Sequence, residues 1–508
     1  MKKYIILASV LFALSCGEKE LDLLPLDRVT ADTFYKTRGD FDGAIFASYS
    51  SIQDLWGISA ETLGENGEYW KISVVISDDA EADTEVGDAV SQDIDKLLIR
   101  SSDVPYGAAY TQIYEGIYRA NLVLENLEGE NELSEEDKTI IGAEAKFLRG
   151  WFHFQALKMF GTPPLATEVK TDLNDLALPN ATQEELYASI LGDFADAAAG
   201  LPEEWDGSNT GRATSWAAKS YIGKVNVWKE DWPTAITALE DVVLRGPYML
   251  MPEYSNNFSH LFENNAESIF EIQFGGPFSD DNIWVFDDTH SENFKASQGT
   301  TRSYHWGAAN GAPGGKRGWF IPSEDLLNAY EAGDARLETT IYQEGEDYYV
   351  WSANSVVTEP YDPEWSSNGL SAKKYLGKEN AVGANRSPNG AADFNNERWF
   401  RFAELKLLYA EALIQGGGDV GLAFDEIDDI RERAGLGPVN RSLDPMDALM
   451  QEKRVELALE PHRYFDIARW GIGAEIFGGA WDDKYKVLPF PLTEIDRSKG
   501  LLQQNPGY

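Results

Sequence analysis

Residues 144–165 read EAKFLRGWFHFQALKMFGTPPL. They complete a helical pattern over 134–160 (SEEDKTIIGAEAKFLRGWFHFQALKMF), which Gly161, with Pro163 and Pro164 behind it, brings to a stop. A second pattern precedes it at about 106–127. Three more follow near 183–199, 212–229 and 232–245. In the last two, Ala217, Ala218, Tyr221 and Gly223 alternate small and large, a short turn intervenes, and Ala235, Ala238 and Leu239 answer. Small residues in a first helix let a second approach closely, as in tetratricopeptide hairpins. Residues 401–415 and 420–433 repeat the device across a Gly-Gly-Gly turn, with Ala403, Tyr409, Ala410 and Ala412 facing Ala423, Phe424, Ile427 and Ile430.

Toward the N-terminus, Thr30 is the expected cap of a helix from about Ala31 to Trp56, and residues 57–104, rich in Gly, Asp and Ser, read as mostly irregular. Residues 246–398 break the helical rhythm. They are rich in Gly, Asn, Asp, Ser and aromatics, with a short strand expected at Ser268–Phe274 and a helix from Pro322 to Tyr330. A long irregular segment of this kind is usually functional when ordered. Helices resume near Trp399, and the tail reads as Pro-punctuated loop.

The first fifteen residues have the form of a signal peptide: Lys2 and Lys3, an apolar run from Tyr4 to Leu14, then Ser15. The run is far short of the ~20 residues that span a bilayer. Cys16, the chain's single cysteine, stands where a bacterial lipoprotein is cut and lipidated. Residues 16–30 follow as a lipidated acidic tether, and 31–508 as one domain: a helical scaffold over about 31–245 and 399–508, carrying an irregular lobe over about 246–398. The tether makes the membrane connection a lipid anchor and not a spanning helix.

With 43 basic and 85 acidic residues the net charge is −42. Phosphate backbones need clustered Lys and Arg, so nucleic acid is excluded as a partner. With Cys16 lipidated no thiol remains for disulfides, metal binding or catalysis. The five histidines (His153, His260, His290, His305 and His462) show no metal spacing, and GxSxG, P-loop and Rossmann signatures are missing from the sequence. No cofactor is expected. Acidic runs at Asp78–Asp83 and Asp280–Asn282 have the chemistry to hold a structural calcium but lack the EF-hand pattern. Glu460, Arg463, Asp466 and Arg469 fall at i, i+3, i+6 and i+9, a salt-bridged helical face, and Glu144 with Arg149 and Glu452 with Arg454 read as further structural pairs.

The lobe's aromatics carry the functional signal. Trp284, Phe286, Tyr304, Trp306 and Trp319 are interleaved with Asp281, Asn282, Arg302 and Asn310. A pyranose has an apolar C–H face and a hydroxyl rim, so flat π surfaces beside a few hydrogen-bonding groups suit it. Some of these rings will close the lobe's own core, and Trp319, just before a helix, is the first candidate for that.

In sequence order, LDLLPLDRVTADTFYKT with ASYSSI, then EAKFLRGWFHFQALKMFGTPPL, RATSWAAKSYIGKVNVWKEDW, RFAELKLLYAEAL, IDDIRERAGL, EKRVELALEPHRYFDIARWG and the terminal QNPGY resemble the SusD/RagB family of outer-membrane, surface-exposed glycan-binding lipoproteins. Pro461 departs from the family's usual Gly, a local matter. The resemblance implies a mainly α fold, an eight-helix scaffold of tetratricopeptide-like hairpins cradling a loop and short-strand lobe. It implies no catalysis, lipid anchoring at the cell surface, and a SusC-like TonB-dependent outer-membrane transporter over which the protein sits as a hinged lid. The ligand is an oligo- or polysaccharide; the few adjacent basic pairs of the lobe, such as Lys316–Arg317 and Lys373–Lys374, favour a neutral one. The family's loop after the first helix also faces ligand, adding Trp70, Asp78 and Asp79 to Trp284, Tyr304, Trp306, Trp319 and Arg302. A peptide-binding lid of RagB type is the alternative. A glycoside hydrolase would need paired carboxylates in a cleft, and a pure assembly scaffold would take no small ligand.

Overall fold

A computed structural model describes residues 34–56, 69–85, 88–170, 172, 176–274, 302–313, 318–352, 355–381 and 395–508. The first long helix, α1, runs Arg38–Trp56, seven residues later than Thr30 and Ala31 suggest. Thr37 is the working cap: the Asp40 carboxylate accepts from the Lys36 and Thr37 amides (3.1 and 2.7 Å) and from the Thr37 hydroxyl (2.8 Å), satisfying amides that an unwound start leaves orphaned. Then come α2 (Val104–Leu127), α3 (Glu135–Phe160), α4 (Gln183–Gly200), α5 (Ser215–Trp228) and α6 (Trp232–Arg245). Beyond the lobe lie α7 (Phe402–Gln415), α8 (Val420–Arg433), α9 (Pro445–Glu456) and α10 (Arg463–Trp470). Ser134 caps α3 and Gly161, at φ +73°, ends it as expected. Thr182 and Glu185 form a reciprocal capping box on α4.

Among the described residues the helices pair as four hairpins, α1/α2, α3/α4, α5/α6 and α7/α8, and each packs on the next through α2·α3, α4·α5 and α6·α7. Glycine sets the spacing at two crossings. A Cβ on Gly116 would lie 2.2 Å from the Phe152 ring, and one on Gly223 would lie 2.4 Å from Leu239. The turn after α7 works the same way: a Cβ on Gly416 would meet that of Trp232 at 2.7 Å, at the start of α6. So α6 and α7 touch although residues 246–401 separate them, and the lobe is a detour from an unbroken stack.

The detour leaves and returns side by side. Strand β1 (Ser268–Ile272) pairs antiparallel with β2 (Glu397–Arg401), Ser268 opposite Arg401 and Ile272 opposite Glu397. The Phe274 amide donates to the Asn396 side chain at 2.7 Å. Other lobe strands are two-residue bridges or the hairpin Asp347–Ser352/Ser355–Pro360. An aromatic seam joins scaffold to lobe, from Trp151 to Trp399 (5.1 Å between centroids), Trp399 to Trp56 (5.8 Å), Trp56 to Trp306 (6.3 Å) and Trp306 to Phe320 (4.7 Å).

Several charge pairs differ from the sequence reading, because neighbours in space outcompete neighbours in sequence. Glu144, fully buried, pairs with Arg212 and not with Arg149, which instead grips Asp193. Glu452 pairs with Arg336 and Arg431, while Arg454 reaches Asp78 and Asp79. Glu460 precedes α10 and belongs to no helical stripe; it binds Arg401 and Lys374. Within α10 only Asp466 and Arg469 pair with each other (2.8 Å). Residues 57–104 also hold more order than expected: a π-turn at Lys71–Val75 and a helix at Ala89–Asp95 capped by Asp88. The tail contains a helix, Leu492–Arg497.

Candidate functional site

The π-turn Lys71–Val75 begins where Trp70 accepts from the amides of Val74 (2.9 Å) and Val75 (3.3 Å). This wide turn sets Trp70 against two residues of the lobe. His305 lies on the short helix Arg302–Trp306, and its carbonyl accepts from the Trp319 amide at 2.9 Å, which brings the two segments together. The rings follow. His305 stacks on Trp319 with centroids 4.3 Å apart and planes 11° from parallel, and Trp70 stacks on each at 6.1 Å. The Lys71 ammonium stands 4.4 Å from the Trp319 ring centre and 3.1 Å from Asp88, so its charge is shared between a π face and a carboxylate. Trp70 is 3 % exposed, whereas His305 and Trp319 are half-buried. The outward part of the stack is therefore His305 with Trp319.

The expected site residues separate into groups. Trp70 and Trp319 share the stack. Trp306 neighbours His305 in sequence but turns inward, 1 % exposed, edge-on to Phe320, Trp56 and Trp70. Arg302 is buried: it is bonded to the Glu397 carboxylate and the Asn395 carbonyl (2.8 Å), with its guanidinium 3.6 Å over Tyr375. Asp78 is clasped by Arg463 through both oxygens, 2.8 Å each, and by Arg454 at 3.1 Å. Trp306, Arg302 and Asp78 thus hold the site's walls together and do not present a free face. Trp284, Phe286, Asp281 and Asn282 lie outside the described residues, as does the side chain of Tyr304. Two residues of the stack, His305 and Lys71, were missed as site residues. In RSYHW a five-residue helix sends His305 and Trp306 to different sides, and that local periodicity is the signal that finds the first of them.

The carboxylates of this region divide by how far a neighbouring cation offsets their burial. Burial alone would raise the Asp78 carboxyl, but Arg463 and Arg454 hold it below the usual range. Asp88 is held low in the same way, with Lys71 overcoming burial. Asp79 is pushed up by burial and by the Asp78 charge, against Arg454. Burial pushes Glu397 up to about 7 despite Arg302, yet that carboxylate is locked on Arg302 and Tyr375 in the interior. Among the described residues no group of three His, Cys, Asp or Glu is arranged to hold a metal ion, and no helix is long and apolar enough to cross a membrane. The Asp280–Asn282 run lies outside them.

A stacked-hairpin scaffold thus presents half-buried rings where it meets an inserted lobe. The chain belongs to the SusD family: a family model described as SusD family matches residues 266–486, and one described as starch-binding associating with outer membrane matches residues 45–227. SusD-like protein P25 of Formosa agariphila is 24% identical over 557 aligned positions, covering 100% of this chain and 99% of the relative. A laminarin-binding SusD-like protein superposes with a TM-score of 0.76 at 24% identity, over 93% of this chain and all of the other. Surface glycan-binding protein A from Bacteroides thetaiotaomicron, solved with laminarihexaose, gives 0.73 at 23% identity over 92% of this chain and 100% of that one.

Proposed function

We propose that this chain is a non-catalytic glycan-binding lipoprotein of the outer-membrane surface, anchored through Cys16, which captures oligosaccharides and hands them to a SusC-like TonB-dependent transporter. The observation that carries the reading is the stack of Trp70, Trp319 and His305. A planar, half-buried edge beside the Lys71–Asp88 pair suits the C–H face of a pyranose. Membership of the SusD family supports the ligand class and the membrane association. Tyr304 and Trp284 are proposed to complete the platform. Asp78 and Asp88 are held ionised by arginine and lysine, which supports binding without turnover.

Affinity electrophoresis tests it, using the chain from Gly17 onward in gels containing laminarin, amylose, xylan or a polyuronate. Retardation by a neutral glycan, with Trp319→Ala weakening it by roughly 30-fold as expected of a ~2 kcal/mol hot spot, supports the reading. Retardation only by the polyuronate, or unchanged retardation of Trp319→Ala, overturns the ligand class or the site respectively. Failure in every gel alongside binding of oligopeptides would make the protein a peptide lid.

A further inference from the structure

A cleft of about 550 Å³ opens where the connection between α4 and α5 meets the root of β1, and none of its lining residues belongs to the Trp70–Trp319 stack. We infer that it is a second saccharide subsite, specific for neutral sugars. The inference extends the glycan reading above, and its test separates the two.

The connection is longer than the turn after α5, though shorter than the 161–182 stretch between α3 and α4. The chain covers residues 201–214 between α4 and α5, against 229–231 between α5 and α6. It is also held firmly. Arg212, its side chain 5% exposed, bonds Glu144, Asp42 and Asn209 and lies 4.4 Å over the Trp205 ring. The Ala213 amide donates to the Tyr49 hydroxyl (2.8 Å) and its carbonyl accepts from the Trp205 indole (2.7 Å). Gly211, at φ +92°, lets the loop pass so close to Gln273 that a Cβ would sit 2.4 Å from its amide carbon. Packing of α4 on α5 requires none of this. An irregular loop pinned by a buried ion pair and two aromatic hydrogen bonds is a preorganised wall.

The lining has sugar chemistry. Trp205 and Tyr248 are half-buried, offering ring surface, with Trp216 at the edge. Thr210 and Asn264 supply a hydroxyl and an amide of the kind that read an equatorial hydroxyl, Asn264 keeping a second N–H and lone pair beyond its paired bonds to Gln273 (2.9 and 3.0 Å), while the Asn265 amide is taken up by the Phe262 carbonyl (2.9 Å) and the Glu267 amide (2.8 Å). Glu203 and Glu204, both exposed, stand at the cleft as hydrogen-bond acceptors. They would repel sulfate or uronate in a chain whose net charge is already −42. The volume falls within the roughly 300–1,000 Å³ of small-ligand sites and accommodates a few sugar rings.

Isothermal titration of the chain from Gly17 onward with laminarihexaose, maltohexaose and cellohexaose tests this, with Thr210→Trp and Trp319→Ala alongside. Thr210 is exposed on the loop, so Thr210→Trp fills the cleft without touching the core; unchanged thermal unfolding verifies that. The expected result is that Trp319→Ala retains binding of one of these hexaoses and that adding Thr210→Trp abolishes it. For the matching polymer, losing one of two subsites costs on the order of 10²-fold in avidity. Loss of all binding in Trp319→Ala, with Thr210→Trp indistinguishable from the parent, overturns the second subsite and leaves the glycan reading standing. No binding of any hexaose by the parent overturns both. Loss in Thr210→Trp alone supports the cleft and overturns the stack as the site.

Discussion

Arg401 and Glu460 meet as a two-pronged pair, Nε to Oε2 at 2.9 Å and Nη2 to Oε1 at 2.8 Å, with both side chains closed off from water. Arg401 opens onto α7 from β2, Glu460 follows α9, and Lys374 of the lobe shares the same carboxylate at 2.9 Å. The pair therefore locks lobe to scaffold. Removing one side strands buried charge, which typically costs about 3–5 kcal/mol. Glu460→Ala is expected to lower the urea midpoint by a corresponding amount. An unchanged midpoint would mean that the remaining carboxylates, Glu267 and Glu456, carry Arg401 without it.

Acid should loosen the fold in two stages. Burial, helped by the Arg149 charge, holds His153 neutral, with its pKa pushed down to about 3 from 6.5, and burial among Lys224, Lys158 and Lys453 pushes His462 well down too. Between pH 6.5 and about 3 the unfolded chain therefore binds protons that the folded chain refuses, and stability falls as pH drops through that window. Glu456 adds a lower stage. Burial would raise it, but Arg433, Arg401 and Arg336 hold it at about 2 against 4.5, so its contribution is complete above 4.5 and is lost as pH falls toward 2. His153→Gln, compared with the parent by melting temperature at pH 7 and pH 5, should lose less on acidification, since the surface charge common to both cancels. Equal losses would remove His153 from the account.

Lys158 should behave in the opposite pH range. It is fully enclosed, with Gln155 Oε1 at 3.2 Å and the Phe465 ring at 4.6 Å, and burial beside Lys224 pushes its pKa down to about 7 from 10.5. The unfolded chain holds the extra proton between those values, so this group makes stability rise with pH from about 7 to 10.5, and below 7 the buried ammonium costs its full amount. Lys158→Met should stabilise the protein more at pH 6.5 than at pH 10, read by denaturant midpoints. A stabilisation independent of pH would assign the effect to packing alone.

The glycine crossings admit a simpler test. With no room at 2.2 Å from Phe152, Gly116→Ala should cost about 1–3 kcal/mol through overpacking, even though alanine favours helix. Gly192, exposed on α4 with nothing near its missing Cβ, is the control, and Gly192→Ala should stabilise by up to about 1 kcal/mol. Thermal unfolding that ranked the two the other way would refute the close approach of α2 and α3.

Helix placement was the legible part of the sequence. Ser134, Thr182 and Gly161 are local signals, and the small residues of α5 and α7 declare the hairpins. Partner choice was illegible, because Glu144 finds Arg212 across a turn of the stack while Arg149, five residues on, finds Asp193. The lobe's aromatics were half legible. Composition marks them as a group, but whether a tryptophan shields the core, as Trp306 does, or edges the surface, as Trp319 does, depends on which strand or turn packs beneath it. The π-turn that aims Trp70 has no composition signature, because KISVV reads equally well as strand.

Because β1 and β2 lie edge to edge, the chain departs from the helical stack and rejoins it at nearly the same point. The span between the two ends, 275–394, can then lengthen, shorten or exchange its contents without altering where α7 docks. Loop closure exacts only about 0.6 kcal/mol for each doubling of length. The docking of α7 is thus insulated from the contents of the inserted span, which can diverge while the body that carries it stays the same.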